Sequence, residues 1–159
     1  METRARKAKP QPSDNLVKLC REFTWEDCWE LPANDSGASS RAWAEAIYSG
    51  KGSPWIVARL MDARNFLMAR YEKRGEEDQD MIGSFPVIRT NAEETILGKS
   101  DRHLEFFTSI TVDGKQTVRC TTIMKTNNMF GRFYWFFARK AHPFIIKAAI
   151  NCAAKAISG

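Results

Sequence analysis

Only four of the 159 residues are cysteine, Cys20, Cys28, Cys120 and Cys152, with no CxxC and no zinc-ligand spacing among them. Redox-motif chemistry and structural zinc therefore have no support, and each Cys reads as a small packing residue. Histidine is scarcer still, with two copies, and no His/Cys/Asp/Glu set suggests a metal. GxGxxG and P-loop patterns are missing, so no cofactor is implied. Nothing approaches the ~20 apolar residues of a membrane span. The opening METRARKAKPQPSDN has no apolar run behind it, unlike a secretory signal. The expectation is a cytoplasmic protein with reduced thiols.

Acid is absent from one long region. Residues 125–159 hold six Lys/Arg and no Asp or Glu, and residues 1–21 hold six basic residues against two acids. Between them, residues 22–124 carry twelve bases and seventeen acids, so the net charge of +5 is terminal. That distribution does not describe a phosphate-tracking face, and no specific nucleic-acid partner is expected. A hydrophobic fraction of 43% and an aromatic fraction of 11% exclude a disordered chain. The length suits a single domain burying roughly 70% of the unfolded surface.

Residues 1–19 read as a disordered basic arm, with Pro10, Pro12 and no hydrophobic period near the start, and residues 20–159 as the folded domain. From Phe23 the pattern alternates. Phe23, Trp25, Trp29 and Leu31 share one face, with Asp27 as its one polar member, until Pro32 ends the strand. A short helix follows from Ser39 or Ser40, with Trp43, Ala46 and Ile47 inward. Ser53-Pro54 opens a second, with Ile56, Leu60, Ala63 and Leu67 on one stripe. Residues 82–125 read as strands, ending in a hairpin of His103–Val112 and Lys115–Lys125 around Asp113-Gly114, a dipeptide suited to a type I′ turn. Leu104, Phe106, Ile110 and Val112 share a face there, and neither strand is apolar on both sides, which predicts a sheet covered on one side. The remainder is helical, with Phe130, Phe133, Tyr134 and Phe137 as one stripe and Ile146, Ala149, Ile150, Ala153 and Ile157 as another, broken or kinked at His142-Pro143. Strand, helices, antiparallel strands and a long terminal helix make an α+β fold.

That order resembles the helix-grip fold of the START-like (SRPBCC, Bet v 1-like) superfamily. In that fold a curved antiparallel sheet wraps a long C-terminal helix around an apolar cavity, with two short helices after the first strand. The sequence itself resembles the bacterial domain of unknown function 2867 family. The resemblance rests on E-T-I-L-G-K-S-D-R-H-L-E-F (94–106) and T-T-I-M-K-T-N-N-M-F-G-R-F-Y (121–134). Softer matches are W-E-D-C-W-E-L-P (25–32) and S-P-W-I-V-A-R-L-M-D-A-R-N (53–65). No agreed activity accompanies the family. The superfamily implies a small hydrophobic or amphipathic ligand held between sheet and helix, lined here by Leu104, Phe106, Ile110, Met124, Phe133, Tyr134 and Phe137.

Several polar residues carry competing readings. Asp101 and His103 form an acid/base pair at the hairpin entry or a turn and its structural hydrogen bonds. Asp27 is either a buried carboxylate needing a donor such as Arg64 or Arg102, or a residue placed where the strand meets water. His142 is a ligand or a capping or hinge residue before Pro143. With Asp27, Arg64, Asp101 and His103 facing a cavity, the chain would be an enzyme of the polyketide-cyclase or isomerase kind. With a filled core it would be an interaction domain turning its basic helix or arm to an acidic partner or a membrane surface. Oligomeric state is not encoded in any of these patterns.

Overall fold

The computed structural model describes residues 4–33, 36–49, 80–83, 85–100, 102–114 and 117–159. In chain order the elements are β1 (Arg6–Lys7), α1 (Asp14–Leu19), β2 (Trp25–Pro32), α2 (Ser40–Tyr48), β3 (Met81–Ile82), β4 (Phe85–Thr90), β5 (Glu94–Ser100), β6 (Leu104–Val112), β7 (Thr117–Thr126) and α3 (Met129–Ser158). The strands form one curved antiparallel sheet in the order β1-β2-β7-β6-β5-β4-β3. The long helix α3 and α2 pack on its inner face. This is the α+β, helix-grip-like architecture expected. The second short helix expected from Ser53, with Arg64, falls on residues outside those described.

Register fixes which side chains meet. Trp25, Asp27, Trp29 and Leu31 of β2 pair with Met124, Thr122, Cys120 and Val118 of β7, which pair in turn with Phe106, Thr108, Ile110 and Val112 of β6. Because side chains alternate along a strand, all twelve share the inner face. Most rows are apolar, and Leu31, Val118 and Ile110 pack with Trp43, Ile47, Ile146 and Ile150 in the main core. One row is different. Asp27, Thr122 and Thr108 carry polar groups straight across the middle of the sheet.

Helix ends follow local chemistry. Ser39 accepts from Ala42 N–H to start α2, and Ser40 Oγ ties that turn to Asn91 O and Thr95 Oγ1. At the start of α3, Asn128 Oδ1 accepts from Gly131 N–H at 2.9 Å, while its Nδ2 donates to Arg102 O and His103 Nδ1. Gly131 is required by contact: a Cβ there would run into the His103 carbonyl oxygen. The two motifs at 94–106 and 121–134 thus interlock at this joint. Helix α3 then continues through Pro143 to Ser158, so His142-Pro143 does not end it. A missing N–H removes one helical hydrogen bond, and packing on both sides of the proline sustains the rest.

Three further expectations change. The arm is not disordered in the described stretch from residue 4 onward. β1 pairs with β2, Ala5 N–H donates to Asn151 Oδ1 at 2.7 Å, and α1 seats Leu16 and Cys20 on Ile96, Phe107 and Ile123 of the outer face. The sheet is therefore covered on both faces at its centre. Pro and Lys content misled because Leu16, Leu19 and Phe23 span too few turns to show a period. Val112 pairs with Val118, β7 begins at Thr117, and Gly114 does not take a positive φ. Asp113 Oδ1 accepts from Thr117 N–H at 3.0 Å, so the Asp side chain organises a wider loop than a two-residue turn.

Candidate functional site

Asp27 is 2% exposed, on the sheet's inner face. Of its expected donors, Arg102 is exposed just before β6, and Arg64 lies outside the described residues. Trp29, two residues along the same strand and so on the same face, donates its indole Nε1–H to Asp27 Oδ2 at 2.8 Å. Lys7 Nζ, from β1, stands 3.7 Å from Oδ1, longer than a hydrogen bond, with its side chain largely in solvent.

The partner across the interface is His142. It lies mid-helix, four residues before Ile146 and seven before Ala149, on the buried stripe of α3. That placement replaces the capping or hinge role. Its Nε2 is 3.7 Å from Asp27 Oδ2. Trp25 packs edge-on against the imidazole, with centroids 5.0 Å apart, and against Trp135 at 4.7 Å. Burial among these rings pushes the His142 pKa down to about 4, and the Asp27 carboxylate opposes this only in part. The imidazole is consequently neutral at pH 7. Asp27 Oδ1 and His142 Nε2 are both buried with no hydrogen-bond partner among the described residues. A buried polar atom left in that condition carries a desolvation cost of about 1–3 kcal/mol.

The polar row continues inward from Asp27. Thr122 Oγ1 donates to Thr108 Oγ1 at 3.2 Å, and the Tyr48 hydroxyl from α2 lies 3.1 Å from Thr108 Oγ1 and 3.5 Å from Cys120 Sγ. Burial holds the Tyr48 phenol well above its ordinary pKa and the Cys120 thiol up at about 11, so both stay protonated. Beside this row lie Phe106 and Met124 with Trp25. The interface thus offers an apolar row, a row of hydroxyls and a His–Asp pair at one end. Among the described residues no group of His, Cys, Asp and Glu could hold a metal ion.

The structure distributes the remaining candidates unevenly. Leu104, Phe106, Ile110 and Met124 are on the inner face as expected, and Tyr134 is half-buried. Phe133 and Phe137 are 67% and 58% exposed and point away from the sheet. The Ile146–Ala153 stripe takes the sheet side of α3, continued by Trp135 and His142, which leaves the Phe133 and Phe137 rings outward. His103 sits one residue beyond Leu104 and five from Thr108, which shares the Asp27 row, so it is roughly 16 Å along the sheet from that row. There it meets Asn128 and the Phe130 ring at 4.6 Å, at the joint that starts α3. Asp101 lies outside the described residues. Lys7, Tyr48 and Thr108 were not singled out from sequence, and Trp135, grouped there with Arg132 and Arg139 on a face suited to a membrane interface, packs inward on Trp25 and His142 instead. His142 was detectable, because its spacing to Ile146, Ala149 and Ala153 is that of a buried stripe.

Residues 19–149 match the model of a family described as a protein of unknown function (DUF2867), and the chain belongs to that family. No curated protein and no solved structure matches it.

Proposed function

We propose that this member of the family binds a small amphipathic molecule between the inner face of the sheet and α3. Its apolar body would lie along Trp25, Met124 and Phe106, and its polar head would reach Asp27 and His142. One observation carries the reading: Asp27 Oδ1 and His142 Nε2, both buried at the same interface, each lack a hydrogen-bond partner among the described residues. Stability alone favours satisfying or removing such atoms. A head group that donates to the carboxylate and to the neutral imidazole nitrogen, such as a hydroxyl or amine, would complete both. Placement in the START-like superfamily is part of this reading and agrees with the long helix lying along the sheet.

Mass spectrometry of the purified chain, native and then denaturing, tests it. A discrete added mass released on unfolding supports the proposal if Asp27→Asn and His142→Gln, still folded, lose it. A ligand retained equally by both variants would place the head group elsewhere.

A second reading has one observation in its favour. A neutral imidazole next to a carboxylate can accept a proton from a bound ligand, as enzymes of the cyclase or isomerase kind require. In that case His142→Gln abolishes turnover while the ligand still binds.

A further inference from the structure

Helix α3 is apolar on two sides, and only one of them meets the sheet. Gly131, Ile146, Ala149, Ile150 and Ala153 are buried, with Trp135 and His142 between them on the same side. On the opposite side stand Met129, Phe133, Phe136, Phe137 and Phe144, between 48% and 78% exposed. Phe133, Phe137, Lys140 and Phe144 recur at steps of four, three and four, the spacing of one continuous ridge. The ridge runs over residues 129–144, about 24 Å of helix. Its rings gather on one another: Phe137 is 5.2 Å from Phe133 and 5.3 Å from Phe136.

Charge selects the occupant of this face. Arg132, Arg139, Lys140 and Lys147 are all exposed along it, and no acid occurs between Lys125 and Gly159. The Arg139 guanidinium and the Lys140 ammonium sit over the Phe136 ring at 5.0 and 4.8 Å. Two such faces from two copies would set like charges against each other, which disfavours pairing through the ridge. Among the described residues no helix is long and apolar enough to cross a membrane. Aromatic side chains interleaved with bases, on a helix that does not span, are the composition of an interfacial surface. We infer that the outward face of α3 docks on an anionic lipid surface, its phenylalanines entering the interface and its bases meeting the headgroups. The site lies on the side of α3 opposite the Asp27–His142 pair, so either can fail without the other.

The experiment is sedimentation of the full chain with vesicles of phosphatidylcholine alone or mixed with phosphatidylglycerol, at low and at moderate salt. The expected result is binding to the mixed vesicles that weakens as salt rises. Arg139→Gln with Lys140→Gln should lower partitioning about 25-fold, roughly fivefold for each base removed. Phe133→Ser with Phe137→Ser should abolish binding while leaving the melting temperature unchanged. Failure to bind the mixed vesicles, or equal binding to both kinds, overturns the inference. So does a large fall in melting temperature in the Phe variant, which would show the ridge buried by this chain's own residues. A wild-type dimer in solution that the Phe variant converts to monomer would assign the face to a second copy.

Discussion

Two buried carboxylates lie on opposite faces of the same sheet, and they are treated differently. Glu94, on the outer face, receives hydroxyl hydrogen bonds from Ser109 at 2.6 Å and from Ser13, and an amide hydrogen bond from Asn15 at 3.2 Å. Ser13 at the same time caps α1 by accepting from Leu16 N–H. Both oxygens are satisfied, and the contacts join the N-terminal segment to β5 and β6. Asp27, on the inner face, receives one hydrogen bond from Trp29, and its other oxygen has none among the described residues. A saturated carboxylate organises the fold, whereas the spare capacity at Asp27 is what the proposed ligand would use.

Removing the saturated one should have the largest effect. Glu94→Ala leaves three donors without their acceptor and frees α1 from the sheet, so we expect a loss of about 3 kcal/mol in equilibrium denaturation. A loss below about 1 kcal/mol would mean that α1 is held by Leu16 and Cys20 alone.

Acid separates the two faces by pH. Burial holds His142 neutral in the folded chain, with its pKa down from 6.5 to about 4, so the unfolded chain binds the proton first. Stability from this group is complete above pH 6.5 and declines as pH falls towards 4, by about 3 kcal/mol at most. Glu94 acts lower. Burial alone would raise its pKa, but the bonds from Ser109, Ser13 and Asn15 hold it below 4.5. Its contribution is present above that value and is lost as pH falls through the depressed one. Stability measured against pH should therefore show two limbs. His142→Gln should erase the upper limb and leave the lower one.

The smallest effect concerns the thiols. Cys20, Cys28 and Cys120 are buried, and burial raises the pKa of each, whereas Cys152 is half-buried on α3. Iodoacetamide at neutral pH should label Cys152 first and Cys120 only on unfolding. Early labelling of Cys120 would show that the Tyr48–Thr108 side of the polar row opens to solvent.

Much of the frame was legible in the sequence, because period-two alternation survives wherever one face packs on a helix. Trp25, Trp29 and Leu31 showed the inner face of β2, and Leu104, Phe106 and Ile110 that of β6. The N-terminal segment was not legible. One buried Leu16 and one buried Cys20 make no measurable period, and the polar anchors Ser13, Asn15 and Glu94 are distant in sequence. The site was half legible. Asp27 stood out as the polar member of an apolar face, but its donor Trp29 was read only as core. The brightest apolar signal, Phe130 to Phe137, misdirected the lining residues. Hydrophobicity alone does not tell the sheet side of α3 from the outward side, whereas the spacing of His142 to Ile146 and Ala149 does.

The contrast between the two carboxylates is tested most directly by equilibrium denaturation of Asp27→Asn alongside Glu94→Gln at neutral pH. The amide at position 27 can still accept from Trp29 Nε1–H, and the Lys7 contact it weakens is solvent-exposed, so Asp27→Asn should stay within about 1 kcal/mol of the parent. Glu94→Gln loses charge-assisted acceptance from three donors and should cost at least about 2 kcal/mol. An equal or larger loss for Asp27→Asn would contradict the account and make Asp27 a structural residue like its counterpart.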